Sequence, residues 1–206
     1  MLPGLPEALA SDHLFVSGAL HEGTQTVLLL SPDEPGFWAH VTAQPEFDDG
    51  APDPLDRWSS RVITALAAQF GAQALFPFTG PPWHPFVRWA IASGQSFASP
   101  IHLIVHPRMG LWASMRGALV LPTHLPLPTP AANPCIDCAA PCTAACPVAA
   151  LGPQGYDVSA CHAHLASAEG DACRNSGCLA RRACPAGESY GRLAIQSAWH
   201  MRQFHP

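Results

Sequence analysis

The amino-acid sequence predicts an α+β fold, with an amino-terminal domain over residues 1–128 and a small cysteine-rich domain over residues 129–206. Three observations lead to this division. Before residue 122, apolar runs of strand length and of helical period intermix without a regular βαβ repeat, which is typical of α+β domains. All eight cysteines lie after residue 134. Between these regions, residues 122–134 contain five prolines, which keep a connector extended.

The elements follow from the spacing of the apolar residues. Leu55–Phe70 carries apolar residues at helical period and is followed by Gly71, a residue type that commonly ends helices. A short helix is predicted at Pro85–Ala92, and a terminal helix of the second domain at Tyr190–Phe204. Strands are predicted at Leu14–Val16, Thr26–Leu30, Phe37–Val41, Ala74–Phe78, His102–His106 and Gly117–Leu121.

Composition excludes several classes of function. The net charge of −5 argues against nucleic acid as a partner. No apolar run reaches the length of a membrane span, so no membrane partner is expected. Residues 1–20 lack the basic and apolar segments of a signal peptide, which predicts a cytoplasmic protein.

Charge is distributed unevenly along the first domain. Residues 1–56 hold ten acids and no arginine, whereas residues 57–136 hold five arginines and no acid. These arginines either form a surface for an anionic ligand, such as a phosphate or a carboxylate-bearing cofactor, or pair with the acids of the first third. The sequence leaves both interpretations open. The five are Arg57, Arg61, Arg88, Arg108 and Arg116.

The cysteines are spaced as iron–sulfur ligands. Disulfides need an oxidising compartment, and structural zinc uses two CxxC pairs or Cys/His sets, whereas this chain has one CxxC. In this chain the pattern is Cys135-x2-Cys138-x3-Cys142-x3-Cys146-Pro147, followed by Cys161, Cys173, Cys178 and Cys184-Pro185. This pattern resembles that of bacterial ferredoxins, in which three cysteines of a run hold one cluster and the fourth, before a proline, holds the other.

This resemblance implies two [4Fe–4S] clusters. Arg181 stands where related modules have a cysteine, and Cys173 substitutes for it. An extra residue separates the second and third cysteines of the first run. His162 and His164 are expected to shield or hydrogen-bond the second cluster. The implied ligands are Cys135, Cys138, Cys142 and Cys184 for one cluster, and Cys146, Cys161, Cys173 and Cys178 for the other.

Two further motifs lie upstream of the cysteines. Phe76–Phe86 is an aromatic, proline-rich loop containing Trp83, and it would suit either the wall of a site for a large flat ligand or a well-packed turn. The second motif, His106–Pro122, runs into a buried strand. Around Gly110 it groups His106, Arg108, Trp112 and Arg116.

The second motif resembles the HPRFGGW-x3-RG-hydrophobic-LP segment of the CblC-type cobalamin-processing family. That family is similar in fold to flavin-dependent nitroreductases, and it removes the upper ligand of cobalamin by reduction or by transfer to glutathione. The resemblance implies a nitroreductase-like, CblC-like first domain that binds cobalamin. It gives Arg116 a contact with glutathione or a substrate anion and places Arg108 and Trp112 on the pocket wall. Flavin is the weaker alternative, because the chain carries no flavin-specific signature.

Epoxyqueuosine reductases and reductive dehalogenases join a corrinoid-binding domain to a two-cluster module similar to this one. The resemblance therefore predicts an iron–sulfur electron-transfer protein that reduces a bound corrinoid. Its electrons would come from a redox donor protein or a low-potential reductant. The alternative is a specialised ferredoxin that binds no organic cofactor and passes electrons to a partner enzyme. Both an enzyme and a carrier are compatible with the sequence.

Overall fold

The computed structural model describes residues 2–152 and 154–206, and the chain divides into two compact units. Unit 1 comprises Met1–Ser96 and Ser114–Ala131, and unit 2 comprises Phe97–Ala113 and Ala132–Pro206. The predicted boundary after residue 128 differs from this division. The chain leaves unit 1 after residue 96, returns to it at residue 114 and enters unit 2 again at residue 132.

Helices and strands intermix along the described residues, and the predicted α+β class is confirmed. The α-helices are α1 (Leu5–Ser11), α2 (Gly36–Thr42), α3 (Pro54–Gln69), α4 (Phe86–Ala92), α5 (Val158–Ala166), α6 (Asp171–Ser176), α7 (Leu179–Arg182) and α8 (Ala194–Phe204). The strands are β1 (Leu14–Glu22), β2 (Gln25–Pro32), β3 (Gln73–Leu75), β4 (Phe97–Ala98), β5 (Ile104–Val105), β6 (Gly117–Leu121), β7 (Leu151–Gly152) and β8 (Gly155–Tyr156).

A four-stranded sheet in the order β1-β2-β6-β3 organises unit 1, and each neighbouring pair is antiparallel. Every residue of β6 is buried, as expected for a central strand covered on both faces. The helix α3 packs against β6, and Trp58 and Ile63 on α3 are fully buried. Burial of each such side chain contributes about 1.5–3 kcal/mol to folding.

The strand predicted at Phe37–Val41 is wrong, because these residues belong to α2. Phe37, Trp38 and Val41 are buried, while Ala39 is exposed. Buried positions at i, i+1 and i+4 lie on one face of a helix, whereas a strand would bury alternate residues. The amide of Phe37 donates to the carbonyl of Asp33 at 3.2 Å, which starts the helical turn.

The other predicted elements are present, and most of them have altered ends. The strand at Gly117–Leu121 has the predicted bounds, whereas the helix predicted at Leu55–Phe70 is α3 and runs from Pro54 to Gln69. The strand predicted at Ala74–Phe78 ends at Leu75. The terminal helix begins at Ala194, because residues 185–190 form a separate 3-10 helix. The helix α1 was not predicted from the sequence.

Unit 2 has a small apolar core that includes two of the cysteines. Ile101, Val105 and Leu111, from the segment 97–113, pack with Leu151 and Ala180 and with the buried thiols. Those thiols belong to Cys142 and Cys184. Over residues 2–152 and 154–206, no helix combines the length and apolar character that a membrane span requires.

Candidate metal centre

Four cysteines of unit 2 line one recess. They are Cys135, Cys138 and Cys142, from the loop after the proline-rich connector, and Cys184, which precedes a 3-10 helix. The recess encloses about 350 Å³, part of it open to solvent.

Local structure explains how the first three thiols converge. The amide of Cys135 donates to Oδ1 of Asn133 at 3.0 Å, which turns the chain into the loop. Ala140 adopts a left-handed conformation with φ 50°, directly before the 3-10 helix Pro141–Thr143 that carries Cys142. The extra residue between the second and third cysteines is accommodated at this left-handed turn. The amide of Ala140 also donates to Sγ of Cys138 at 3.4 Å.

The rest of the recess wall is largely apolar. Part of it comes from the segment 97–113, which supplies Ser99, Pro100, Val105 and Leu111. An apolar wall lowers the local dielectric and limits access of water to the thiols. The segment 97–113, assigned to the ligand-binding domain by sequence, thus builds the surroundings of the first cysteine set.

The remaining four cysteines form a second set in unit 2. Cys161 lies on α5, Cys173 on α6, and Cys178 immediately precedes α7. Cys146 follows the first run, and its Sγ accepts a hydrogen bond from the amide of Ala150 at 3.3 Å. The thiols of Cys146, Cys173 and Cys178 are all close enough to Cys161 for their charges to affect its ionisation.

Burial and neighbouring thiols govern the ionisation of both sets. Burial raises the pKa of the Cys135 and Cys142 thiols, and Cys184 and Cys138 raise each pKa further. Burial likewise raises the pKa of the Cys161 and Cys173 thiols, with Cys178 and Cys146 adding to the effect. The neighbouring thiols that raise each of these pKa values belong to the same group of four as the thiol itself.

All eight cysteines are free thiols. Within the described part of the chain, no three His, Cys, Asp or Glu side chains are arranged to hold one metal ion. Soft thiolate ligands select zinc, copper(I) or iron–sulfur clusters. The four thiols around the recess provide a donor set of this soft type.

The five residues predicted to wall a corrinoid pocket fall in different units. Trp83 and Arg116 belong to unit 1, whereas His106, Arg108 and Trp112 belong to unit 2. Trp83 and Arg108 are exposed, Trp112 is half-buried, and His106 and Arg116 are buried.

Arg116 is an ion-pairing residue of unit 1. Its Nη2 donates to Oδ1 of Asp56, its Nε donates to Oγ of Ser59 at 3.0 Å, and its guanidinium lies 5.7 Å from the ring centroid of Phe78. Burial lowers the pKa of Arg116, and Asp56 opposes that shift.

Four of the five arginines in residues 57–136 form ion pairs with acids of residues 1–56. This agrees with the ion-pairing interpretation of the uneven charge distribution. The pairs are Arg57–Asp49, Arg61–Glu46, Arg88–Glu22 and Arg116–Asp56.

The first part of the His106–Pro122 motif has a structural role in unit 2. Nδ1 of His106 accepts hydrogen bonds from the amides of Arg108 at 3.0 Å and Met109 at 3.3 Å, which closes a tight turn. Gly110 has φ 55°, and a Cβ there would lie 2.3 Å from the amide nitrogen of Gly187. Only glycine allows this approach. The turn therefore packs directly on the 3-10 helix that follows Cys184.

Sequence reasoning missed several residues that surround the thiols. Val105 and Leu111 line the first recess, and burial, with the neighbouring Cys161 thiol, raises the pKa of Tyr156. Only Arg181 carried a signal in the sequence, as a departure from the ferredoxin pattern.

Comparison of the chain with protein-family models, with curated proteins and with solved structures yields no match.

Proposed function

We propose that the protein is an iron–sulfur electron-transfer protein that holds two [4Fe–4S] clusters and delivers electrons to a bound corrinoid. The observation that carries the first part is that four thiols line one recess of unit 2, with the other four cysteines in the same unit. When bound, such clusters accept and release one electron at a time, at potentials set by charge, hydrogen bonds and exposure. The chain's own residues provide the thiols, the apolar wall and the hydrogen bonds to sulfur.

A short helix joins the two sets. Cys178 precedes the first residue of α7, and Cys184 follows its last residue by two positions. Six residues along a helix would span roughly 9 Å at about 1.5 Å per residue. Such a short link supports passage of electrons between the two sites within one unit.

Two observations support a corrinoid as the acceptor. The first is the resemblance of the His106–Pro122 segment to CblC-type proteins. The second is the exposure of three large apolar side chains of unit 1, Trp83 before α4 and Val87 and Ile91 on α4. Val87 and Ile91 lie four residues apart on this helix, and Trp83 is 62% exposed, which leaves an aromatic face available to a large flat ligand. The second candidate function is electron transfer to a partner enzyme, and it is favoured by Ile136, which is 68% exposed beside Cys135.

Metal content tests the first part of the proposal. Protein reconstituted anaerobically is expected to contain about eight iron and eight acid-labile sulfide per chain, from two four-iron clusters. Its brown absorption should bleach with dithionite. Stoichiometric zinc without sulfide would contradict the proposal.

Ligand retention tests the acceptor. Reconstituted protein is incubated with cobalamin or with flavin, desalted, and its visible spectrum is recorded. Retained cobalamin, together with faster formation of cob(II)alamin than with reductant alone, is expected. Retention of neither ligand, at full iron content, would favour the partner-enzyme function.

A further inference from the structure

We propose that the Ser99 hydroxyl donates a hydrogen bond to the iron–sulfur cluster at the recess of Cys135, Cys138, Cys142 and Cys184, and thereby raises the reduction potential of that cluster. This inference rests on the proposed iron–sulfur function. It gives a tuning role to a side chain that is not a ligand, from a segment of the chain without cysteines.

A closed turn holds Ser99 in the recess wall. The residue follows β4, whose Ala98 pairs with Ile104 of β5. The amide of Ser99 donates to the carbonyl of Leu103 at 2.9 Å, and its carbonyl accepts from the amide of His102 at 3.2 Å. Both backbone groups of Ser99 are used within the turn, and the hydroxyl is the polar group of this residue that the turn does not use.

The hydroxyl of Ser99 is buried. The residue is 8% exposed, and within the described part of the chain its Oγ has no hydrogen-bond partner. Buried hydroxyls ordinarily have a partner, because an unpaired one destabilises the fold. The buried hydroxyls of Ser59 and Ser93, for example, each donate to a backbone carbonyl at 2.7 Å. Ser99 differs from these two serines because it lines the recess of the four thiols.

The recess wall supplies few other donors. Among the described residues that line it, the others are cysteine, proline, alanine, valine and leucine, and none of these side chains carries an O–H or N–H group. Proline also lacks a backbone N–H. The amide of Ala140, which donates to Sγ of Cys138 at 3.4 Å, is a backbone donor to a thiol of this set. The four prolines are Pro100, Pro134, Pro141 and Pro185.

The chemistry of the hydroxyl matches the proposed occupant. Sulfur atoms of an iron–sulfur cluster accept hydrogen bonds, and these bonds help to set its potential. A serine O–H rotates about its C–O bond and can point its proton at such an acceptor. The apolar wall, with Val105 and Leu111, strengthens this interaction because it lowers the local dielectric.

The hydrogen bond should favour the reduced state. Uptake of one electron from an external reductant adds one negative charge to the iron and sulfur atoms, so a donor bonds more strongly after reduction. No covalent bond to Ser99 forms or breaks, and its proton stays on Oγ. Ser99 therefore makes the cluster at this recess easier to reduce.

An anaerobic redox titration followed by electron paramagnetic resonance tests this role. Iron and sulfide are measured first on the full-length protein. Cys184→Ser identifies the signal of the recess, since the signal missing from this variant belongs to that cluster. In Ser99→Ala, at unchanged iron content, we expect this signal to appear at lower potential. The reduction equilibrium should shift about three- to tenfold, or about 28–59 mV for a one-electron couple.

Two variants control for the loss of packing. Ser99→Thr keeps a hydroxyl and should retain most of the wild-type potential. Ser197→Ala is the matched control, because Ser197 is a buried serine of unit 2 whose hydroxyl accepts a hydrogen bond from Nε of Arg192 at 3.1 Å. It does not line the recess, so the potential should stay in place.

Electron–nuclear double resonance of the reduced protein gives a readout that does not depend on the potential. After exchange into deuterium oxide, the wild-type protein and Ser99→Thr should show a deuteron coupling that is missing from Ser99→Ala. Couplings from backbone amides, such as that of Ala140, should remain in all three proteins.

The outcomes distinguish this inference from the function on which it rests. Protein that binds no iron and sulfide would overturn both. Full iron and sulfide, with the recess signal of Ser99→Ala at the wild-type potential, would overturn the inference alone. An equal shift in Ser197→Ala, or identical deuteron couplings in wild type and Ser99→Ala, would also overturn it. If Ser99→Ala does not assemble its cluster, Ser99→Gly, which likewise removes the hydroxyl, provides the same two readouts.

Discussion

At the scale of single residues, Arg116 shows how a site residue suggested by sequence is used in the fold. Arg116 is 8% exposed, and its guanidinium is held by Asp56 and Ser59, both on α3. The arginine lies directly before β6, so the ion pair fixes the start of the central strand against the helix. A contact with a ligand anion would require this arginine to exchange or share Asp56.

Neutralising the partner of this arginine should therefore destabilise unit 1. In Asp56→Asn the buried guanidinium loses its counter-charge, and we expect the free energy of unfolding of unit 1 to fall by about 3 kcal/mol. Hydrogen exchange of β2 and β6 amides would measure the loss. Asp48→Asn, at an exposed position, is the matched control, and iron content should be unchanged in both variants. A change in cobalamin binding without loss of stability would instead support a ligand role for Arg116.

A second ion pair makes the stability of unit 1 depend on pH. Nε of Arg61 donates to Oε1 of Glu46 at 2.5 Å, and this hydrogen bond lowers the pKa of Glu46 from its usual value of 4.5. A carboxyl whose pKa is lower in the folded state stabilises the fold above its unfolded pKa, and this contribution is lost as pH falls through the folded value. The contribution is about 1 kcal/mol, because Arg61 is half-exposed and water screens its charge.

Comparison of Glu46→Gln with the wild-type protein across pH 2–7 tests this dependence. The variant should be less stable above pH 5 and should approach the wild type at low pH, where Glu46 is protonated. Glu7→Gln, at an exposed position of α1, should follow the wild-type curve at all pH values. A constant difference between Glu46→Gln and wild type at every pH would show that packing, and not charge, accounts for the effect.

At the scale of elements, the turn at residues 106–110 positions the 3-10 helix that follows Cys184. In Gly110→Ala the new Cβ would meet the backbone of Gly187, which cannot move as a flexible side chain would. We expect the first cluster to be lost or to become labile while the second is retained, so iron content should fall towards half. Iron and sulfide analysis with electron paramagnetic resonance of the reduced protein would show which set remains.

Two glycine variants serve as controls for this effect. Gly71→Ala places a side chain at a similar φ of 63° in open space, so it carries the backbone strain without the contact. Gly187→Ala places its Cβ 3.0 Å from the carbonyl oxygen of Met109, a milder clash that should reduce iron content less. Full iron content in Gly110→Ala would mean that the turn does not position Cys184.

The sequence predicted best what depends on local pattern. Helix α3 has a long, unambiguous apolar period, and strand β6 is an uninterrupted apolar run that ends before Pro122. The five-residue run Phe37–Val41 is too short to distinguish the two periods, so burial on one face of α2 could be recognised only in the structure. The segment 97–113 lies in unit 2 in the structure, and no residue within it marks its packing against residues far along the chain. The contacts of Gly110 with Gly187 and of Arg181 with Leu111 span more than 65 residues.

At the scale of the whole molecule, the chain enters unit 2 twice, and this has a consequence for folding. Cys142 and Cys184 belong to an apolar cluster of unit 2 with Ile101, Val105 and Leu111, so the proposed clusters should supply part of the folding free energy of this unit. Unit 1 has its own four-stranded sheet and buried helix α3. The segment 97–113 belongs to unit 2 although it lies between two stretches of unit 1 in the sequence.

Removal of iron should therefore expose two separate stretches of the chain to protease. With a chelator under oxidising conditions, we expect cleavage within residues 97–113 and after residue 132, because both stretches lose the core that the clusters maintain. Residues 2–96 should remain associated with residues 114–131 after the cut, since β6 pairs with β2 and β3 across it. Mass spectrometry of the digest, after gel filtration under native conditions, would detect this two-piece complex. The iron-loaded protein is the control and should resist cleavage at both places. An apoprotein cut only after residue 132 would mean that residues 97–113 fold with unit 1 and do not depend on the clusters.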